Sequence, residues 1–214
     1  MPDQNTIAQE KAALMVIDLQ FDFLPKFGSM TKDGALAVPG GHEIIRPVSH
    51  LISQFDTVIL TQDWHPKGHS SFASSHEGKA PFETIEMDYG PQVLWPDHCV
   101  QGTKGSAYAL DPWDINHAAM IIRKGMNPDV DSYSAFMEND GKTPTGLAGF
   151  LRERGIEHLF MAGLATDFCV AFSALDARKM GFGVTLFEYA CRGIDPEGVK
   201  SQIAAMKNAG VIVS

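Results

Sequence analysis

Five short runs of the chain are apolar at nearly every position: "AALMVIDLQ" from Ala12, "TVILTQ" from Thr57, "AAMIIRK" from Ala118, "EHLFMAG" from Glu157 and "GVTLFEY" from Gly183. A shorter sixth run, "GVIVS", lies at the carboxyl end. Continuous apolar runs of this length predict strands buried on both faces rather than strands with one wet face. Between them, "GGHEIIRPVSHLISQF", "TPTGLAGFLRERG", "TDFCVAFSALDARKMG" and "DPEGVKSQIAAMKNAG" predict helices, with Asp, Thr or Pro near the starts and Gly after several ends. Pro47 falls inside the first of these, so that helix is expected to kink or to begin late. The alternation predicts an α/β fold, a three-layer α/β/α sandwich around a mostly parallel central sheet of about six strands.

The stretch from about Asp63 to Asp114 breaks the rhythm with histidines, prolines, glycines and serines and little periodicity. Long irregular segments inside a compact domain are usually functional or disordered. Trp64, Phe72, Phe82, Trp95 and Trp113 argue for order, because disordered tracts are poor in aromatics. With 214 residues, 44% of them hydrophobic, one well-cored domain spanning 1–214 is expected.

Charge narrows the partners. A formal net charge of −9 and only 17 Lys+Arg, without a basic run, leave no electrostatic footprint for nucleic acid or an anionic membrane. No apolar run approaches the roughly 20 residues of a membrane span. The polar start, "MPDQNTIAQEK", fits neither a secretory signal nor an Arg-rich transit peptide, so a cytoplasmic chain acting on small molecules is expected. Cys99, Cys169 and Cys191 are odd in number and widely spaced, which predicts free thiols. Cys191, in "YACRG", reads as a small buried hydrophobe.

The candidate chemistry lies at strand ends. Asp18 follows the first strand, Asp63 the second and Lys124 the third, while Cys169 comes after the turn that leaves the fourth. In a parallel sheet all four reach the carboxyl edge, where open α/β sheets bind ligands. Taken singly, each charged residue is as readily a solvated strand end or half of a buried ion pair. With Thr166 as the expected N-cap, the Cys169 thiol falls in the first helical turn, where backbone N–H groups and the helix dipole favour a thiolate. Asp18 is placed to take the thiol proton and Lys124 to hold that carboxylate, a set suited to acyl transfer from an amide.

A second constellation is "DWH", Asp63 to His65, with "WPDHC", Trp95 to Cys99. In extended backbone Asp63 and His65 point to one side, and His98 completes a set of one carboxylate and two imidazoles suited to a borderline divalent ion. His42, His50, His69, His76, His117 and His158 read as surface or loop residues, although His69 and His76 share the long segment and either is open as a further ligand. A non-catalytic metal-binding domain, with Cys99 joining His98 and Cys169 buried, is the distant alternative.

"VIDLQFDF", "TQDWHPKGHSSFASSH", "LWPDHCVQGTKGS", "IRKG", "DSYSAF", "GLATDFCV" and "EYACRG" together resemble the nicotinamidase family of isochorismatase-like cysteine hydrolases, in the family's order from about Ala12 to Ile194. The resemblance implies hydrolysis of nicotinamide to nicotinate and ammonia in NAD salvage, with pyrazinamide among the analogues. It implies a catalytic triad of Asp18, Lys124 and Cys169 and metal ligation by Asp63, His65 and His98, the ion most readily zinc, with iron or manganese compatible. It also implies a cis peptide at Leu164–Ala165, an oxyanion hole from the N–H groups of Ala165 and Cys169, and ring-pocket walls at Phe23, Trp95 and Tyr133. Ser71 falls where some relatives place another metal-shell side chain, here expected to meet a water. Phe21 departs from the polar residue common at its position. A sister amidase acting on another small amide or carbamoyl compound is the nearer alternative. Monomer and homo-oligomer fit equally.

Overall fold

The computed structural model describes residues 9–214; Met1–Ala8, which carry most of the targeting-signal argument, lie outside them. All six apolar runs are strands: β1 (Ala12–Ile17), β2 (Val58–Asp63), β5 (Met120–Lys124), β6 (His158–Leu164), β7 (Gly183–Arg192) and β8 (Ile212–Val213). They form one sheet in the order β5-β2-β1-β6-β7-β8, with every pairing parallel. β1 and β2 are buried at every position, the expected consequence of helices covering both faces.

Alternate residues of β1 feed two separate cores. Leu14 and Val16 pack on one face with Leu60, Phe160 and the apolar side of α1 (Ile45–Ile52). Ala13, Met15 and Ile17 pack on the other with Leu147 and Leu151 of α3 (Leu147–Glu153), Ala171 and Ala174 of α4 (Ala171–Lys179), and Met206 of α5 (Pro196–Asn208). Met15 has no exposed surface, and truncating it to alanine is expected to cost about 2–5 kcal/mol. The helix containing Pro47 begins late: Gly41–Ile44 is a 3-10 turn, and Pro47 sits in the first turn of α1, where its missing N–H does no harm. Asp195 caps α5, its carboxylate accepting from Gly198 N at 2.7 Å, with Pro196 at the first helical position.

The aperiodic segment is ordered. It contains a hairpin of β3 (Thr84–Met87) and β4 (Gly90–Val93), and the short helix α2 (Pro112–Asn116) closes it. Polar groups fasten much of it. Gln20 Nε2 and Gln62 Nε2 donate to Ser106 O at 2.9 and 3.0 Å, and Tyr108 OH donates to Thr61 O at 3.1 Å. Of the five aromatics singled out above, Phe72 and Trp95 are buried, whereas Phe82 and Trp113 are exposed and cannot be what orders it.

Among the described residues no helix is long and apolar enough to cross a membrane. All three cysteines are free and buried.

Candidate active site

Asp63 and Lys124 are register partners across β2 and β5, so the pairing itself sets them side by side at the carboxyl edge. Asp18 follows β1 on the adjacent strand in a left-handed conformation, φ 47°, which is uncommon for a non-glycine residue and turns its side chain out of the strand's alternation. Thr61 steadies it: Thr61 Oγ1 donates to Asp18 Oδ1 at 2.6 Å and accepts from Asp18 N at 3.0 Å.

Lys124 is the hub. Its Nζ lies 2.8 Å from Asp18 Oδ2, 2.9 Å from Asp63 Oδ1, 3.2 Å from Ser132 O and 3.4 Å from Cys169 Sγ. Burial works to lower the Lys124 ammonium, but Asp18 and Asp63 together hold it well above the usual lysine range. Burial raises the Asp18 carboxyl, Lys124 opposes that, and Asp63 adds to it. Burial likewise pushes the Cys169 thiol well up against the pull of Lys124. Asp18 Oδ2 is buried and faces the Lys124 ammonium at 2.8 Å.

Cys169 does not sit in an ordinary α-helical first turn. Thr166–Val170 is a π-helical turn that leads into α4, Ala165 occupies the cap position, and Thr166 gives no side-chain cap. Such turns are rare and concentrate at functional sites. The Leu164–Ala165 peptide is cis. Ala165 and Cys169 line one pocket with Phe23, Trp95 and Tyr133, so the three expected ring walls converge on the thiol. Leu36, Phe168 and Ile194 also line it; Phe168 lies inside the GLATDFCV block, where no role was expected of it.

The second constellation borders the same pocket. Asp63 Oδ2 lies 3.1 Å from His65 Nε2 and 3.2 Å from His98 Nε2. The two Nδ1 atoms face backbone carbonyls, His65 toward Gly125 O at 3.0 Å and His98 toward Pro96 O at 2.8 Å, so they are the N–H donors. That tautomer turns both Nε2 lone pairs toward the carboxylate oxygen. The three ligand atoms lie close around one point, and these residue types suit a divalent cation there. Burial alone would lower His65, but Asp63 keeps it raised.

His69 lies in the long loop, as expected, but is fully buried rather than at the surface. Its Nδ1 accepts from Ser71 N at 3.1 Å and lies 2.8 Å from Ser71 Oγ, while Nε2 donates to Asn127 O at 2.7 Å. Although His69, His65 and Asp131 form a second compact group, both His69 nitrogens are engaged in structural bonds. His76 is likewise occupied, with Nε2 donating to Ser70 O at 2.7 Å. Cys99 stands outside both groups, and burial pushes its thiol well up. Burial pushes Cys191 up to about 12, in keeping with a packing role.

Three residues inside the quoted blocks, for which no role was expected, support the site. Asp22 Oδ2 accepts from Cys99 N at 2.8 Å, fixing the backbone beside His98. Gln20 exchanges two hydrogen bonds with the Asp63 backbone, at 2.8 Å each. Asp167 accepts from Ile194 N at 3.0 Å and from Asp195 N at 2.9 Å, joining the nucleophile turn to the start of α5. Each is a polar side chain within a motif, which sequence alone does not separate from a solvated one.

The family model described as Isochorismatase domain matches residues 12–214. The chain belongs to the isochorismatase family. Within it, a nicotinamidase of Acinetobacter baylyi is 52% identical over 187 residues, 87% of this chain and 83% of that protein. A solved structure of an Acinetobacter baumannii nicotinamidase and pyrazinamidase superposes with a TM-score of 0.89 at 48% identity, covering 95% of each chain. A Pyrococcus horikoshii pyrazinamidase in complex with zinc superposes with a TM-score of 0.76 at 36% identity, covering 95% of this chain and 98% of that one. The six-stranded parallel sheet is the isochorismatase-family fold.

Proposed function

We propose that this chain is a nicotinamidase, a single catalytic domain of the cytoplasm that hydrolyses nicotinamide to nicotinate and ammonia through a thioester on Cys169. One observation carries the reading. Lys124 Nζ touches the thiol, the neighbouring Asp18 carboxylate and the metal-donor carboxylate of Asp63 at once, beside a pocket walled by aromatic rings. The similarity to nicotinamidases and pyrazinamidases supports the substrate class.

Asp18, Lys124 and Cys169 form the catalytic set. The raised Asp18 carboxylate is a stronger base than an exposed one, and it takes the Cys169 proton as sulfur attacks the carboxamide carbon. Backbone N–H groups of Ala165 and Cys169 receive the developing oxyanion. When the C–N bond breaks, Asp18 returns the proton to nitrogen and ammonia departs. Water then attacks the thioester, Asp18 takes the water's proton, and the sulfur leaves to become the thiol again. Lys124 stays charged throughout and holds the carboxylate in place. Phe23, Trp95 and Tyr133 hold the flat ring against the thiol. Asp63, His65 and His98 are the residues that would hold a divalent cation, zinc first and iron or manganese on the same donors, which when bound supplies a Lewis acid to orient a ring nitrogen and acidify water.

Ammonia release from nicotinamide, pyrazinamide, benzamide and a ureido compound tests the reading. Turnover is expected for the two ring-nitrogen amides and not for the others. Cys169→Ala is expected to lose at least about a thousandfold in kcat while keeping its metal content. Comparable turnover of benzamide, or appreciable turnover by Cys169→Ala, would refute the assignment.

A further inference from the structure

The β3–β4 hairpin has one fully buried residue, and it is polar. Thr84–Met87 and the rest of Gly90–Val93 are exposed or half-buried, whereas Gln92 has no exposed surface. Burying a carboxamide gives little hydrophobic return, so its place has to be accounted for by hydrogen bonds. Gln92 Nε2 lies 2.8 Å from Tyr133 OH, 3.1 Å from Asp131 Oδ2 and 2.7 Å from Val93 O. Its Oε1 accepts from Tyr89 OH and from Asn139 Nδ2, both at 3.2 Å. Asn139 reaches the same target, accepting from Tyr133 N at 3.0 Å and donating its own N–H to Asp131 O at 2.7 Å.

The segment being held, 126–136, has no helix or strand of its own. It nevertheless supplies Asp131 and Tyr133 to the wall of the thiol pocket. A stretch without a backbone ladder takes its position from side-chain bonds, and Gln92 provides two of them from a separate element. Two N–H hydrogens serve three acceptors, of which the Asp131 carboxylate, as the anionic one, makes the stronger claim.

We propose that Gln92 is a positioning residue for substrate binding, holding the Asp131 carboxylate and the Tyr133 ring at the spacing that a flat heteroaromatic amide requires. This rests on the amidase reading given above. Gln92 does not line the pocket and acts through the two residues that do. Asp131 and Tyr133 line the cavity and neither lies among the groups that touch the Cys169 sulfur, so the effect is expected in KM with kcat left in place.

The test compares Gln92→Met, Asp131→Asn and the double variant by steady-state kinetics on nicotinamide and by iodoacetamide labelling of Cys169. Gln92→Met is expected to raise KM about tenfold with kcat within about twofold of wild type. Its labelling rate without substrate is expected to stay unchanged, while the nicotinamide concentration for half-protection rises by the same factor as KM. The double variant is expected to be at most about twofold worse than the poorer single one, because the two changes act on one wall. A KM within about twofold of wild type, an equal fall in kcat, or single effects that multiply in the double variant would each overturn the proposal. If Gln92→Met does not fold, Tyr89→Phe removes one donor to the same carboxamide from its half-buried side, and an unchanged KM there overturns it too. A wild-type chain inert toward nicotinamide refutes the substrate reading and this one together. An active wild type matched in KM by Gln92→Met refutes this one alone.

Discussion

The two ends of the sheet each carry a lysine–carboxylate pair at almost the same distance, and the pairs have little else in common. At the amino end Lys11 Nζ lies 2.7 Å from Glu157 Oε1, with side chains 52% and 68% exposed. At the carboxyl end Lys124 Nζ lies 2.8 Å from Asp18 Oδ2, with both side chains fully buried. Water screens the first pair and leaves it nearly without consequence. The second has no solvent to share its field, so removing either partner leaves an uncompensated charge in the interior. Distance alone therefore does not rank ion pairs; the number of groups that depend on each charge does, and Lys124 serves two carboxylates and a thiol.

The largest expected effect breaks the buried pair. Lys124→Met strands Asp18 and Asp63 side by side, and is expected to cost about 3–5 kcal/mol in a denaturant titration and to abolish ammonia release. Retained stability would mean that the two carboxylates are relieved by protonation or by a cation. Next is Gly125→Ala. Gly125 has φ 65°, and a Cβ there would run into the His65 ring, whose Nδ1 is held by the Gly125 carbonyl. Metal affinity, measured by chelator competition, is expected to fall roughly 10- to 100-fold with the Cys169 labelling rate preserved. Unchanged affinity would show that the His65 ring accommodates the added Cβ without losing its place.

At the other end of the sheet the effects shrink. His158, at the start of β6, is half-buried and donates or accepts at Thr185 Oγ1, 2.9 Å away. Burial holds its imidazole below the ordinary value near about 6.5, and Arg178 adds to that. A depressed imidazole favours the neutral fold. The unfolded chain then binds the proton first, and stability falls as pH drops from about 6.5 through the lower folded value. His158→Gln is expected to show a shallower loss of Tm between about pH 7.5 and pH 5 than wild type. An identical slope would place the dependence elsewhere. Smallest of all, Lys11→Ala is expected to leave Tm and turnover within experimental error. A clear loss would overturn the contrast between the two ends.

What could be read before folding follows from what sets each part. The six strands announced themselves because burial on both faces makes every residue of β1 and β2 apolar, a pattern without competitors. Parallel pairing then carried Asp18, Asp63 and Lys124 to one edge whatever the loops did. The hairpin and α2 were silent, since the hairpin packs through one buried glutamine and the segment around it is tied largely by Gln20, Gln62, Asp22 and Tyr108. Polar tethers leave no period in a sequence. Thr166 as a cap was misplaced because the segment Thr166–Val170 is a π turn whose cap position is Ala165. His69 had the same neighbours in sequence as an exposed loop histidine, and only its contacts with Ser71 and Asn127 distinguish it.

Asp167 sits two residues before the nucleophile and grips the backbone of Ile194 and Asp195, where α5 begins. The turn that carries the sulfur and Ile194, which lines the same cavity, are thus fastened to each other through one carboxylate. Changes far out along α5, well away from any reacting atom, should therefore register as altered tolerance for ring substituents rather than as a slower chemical step.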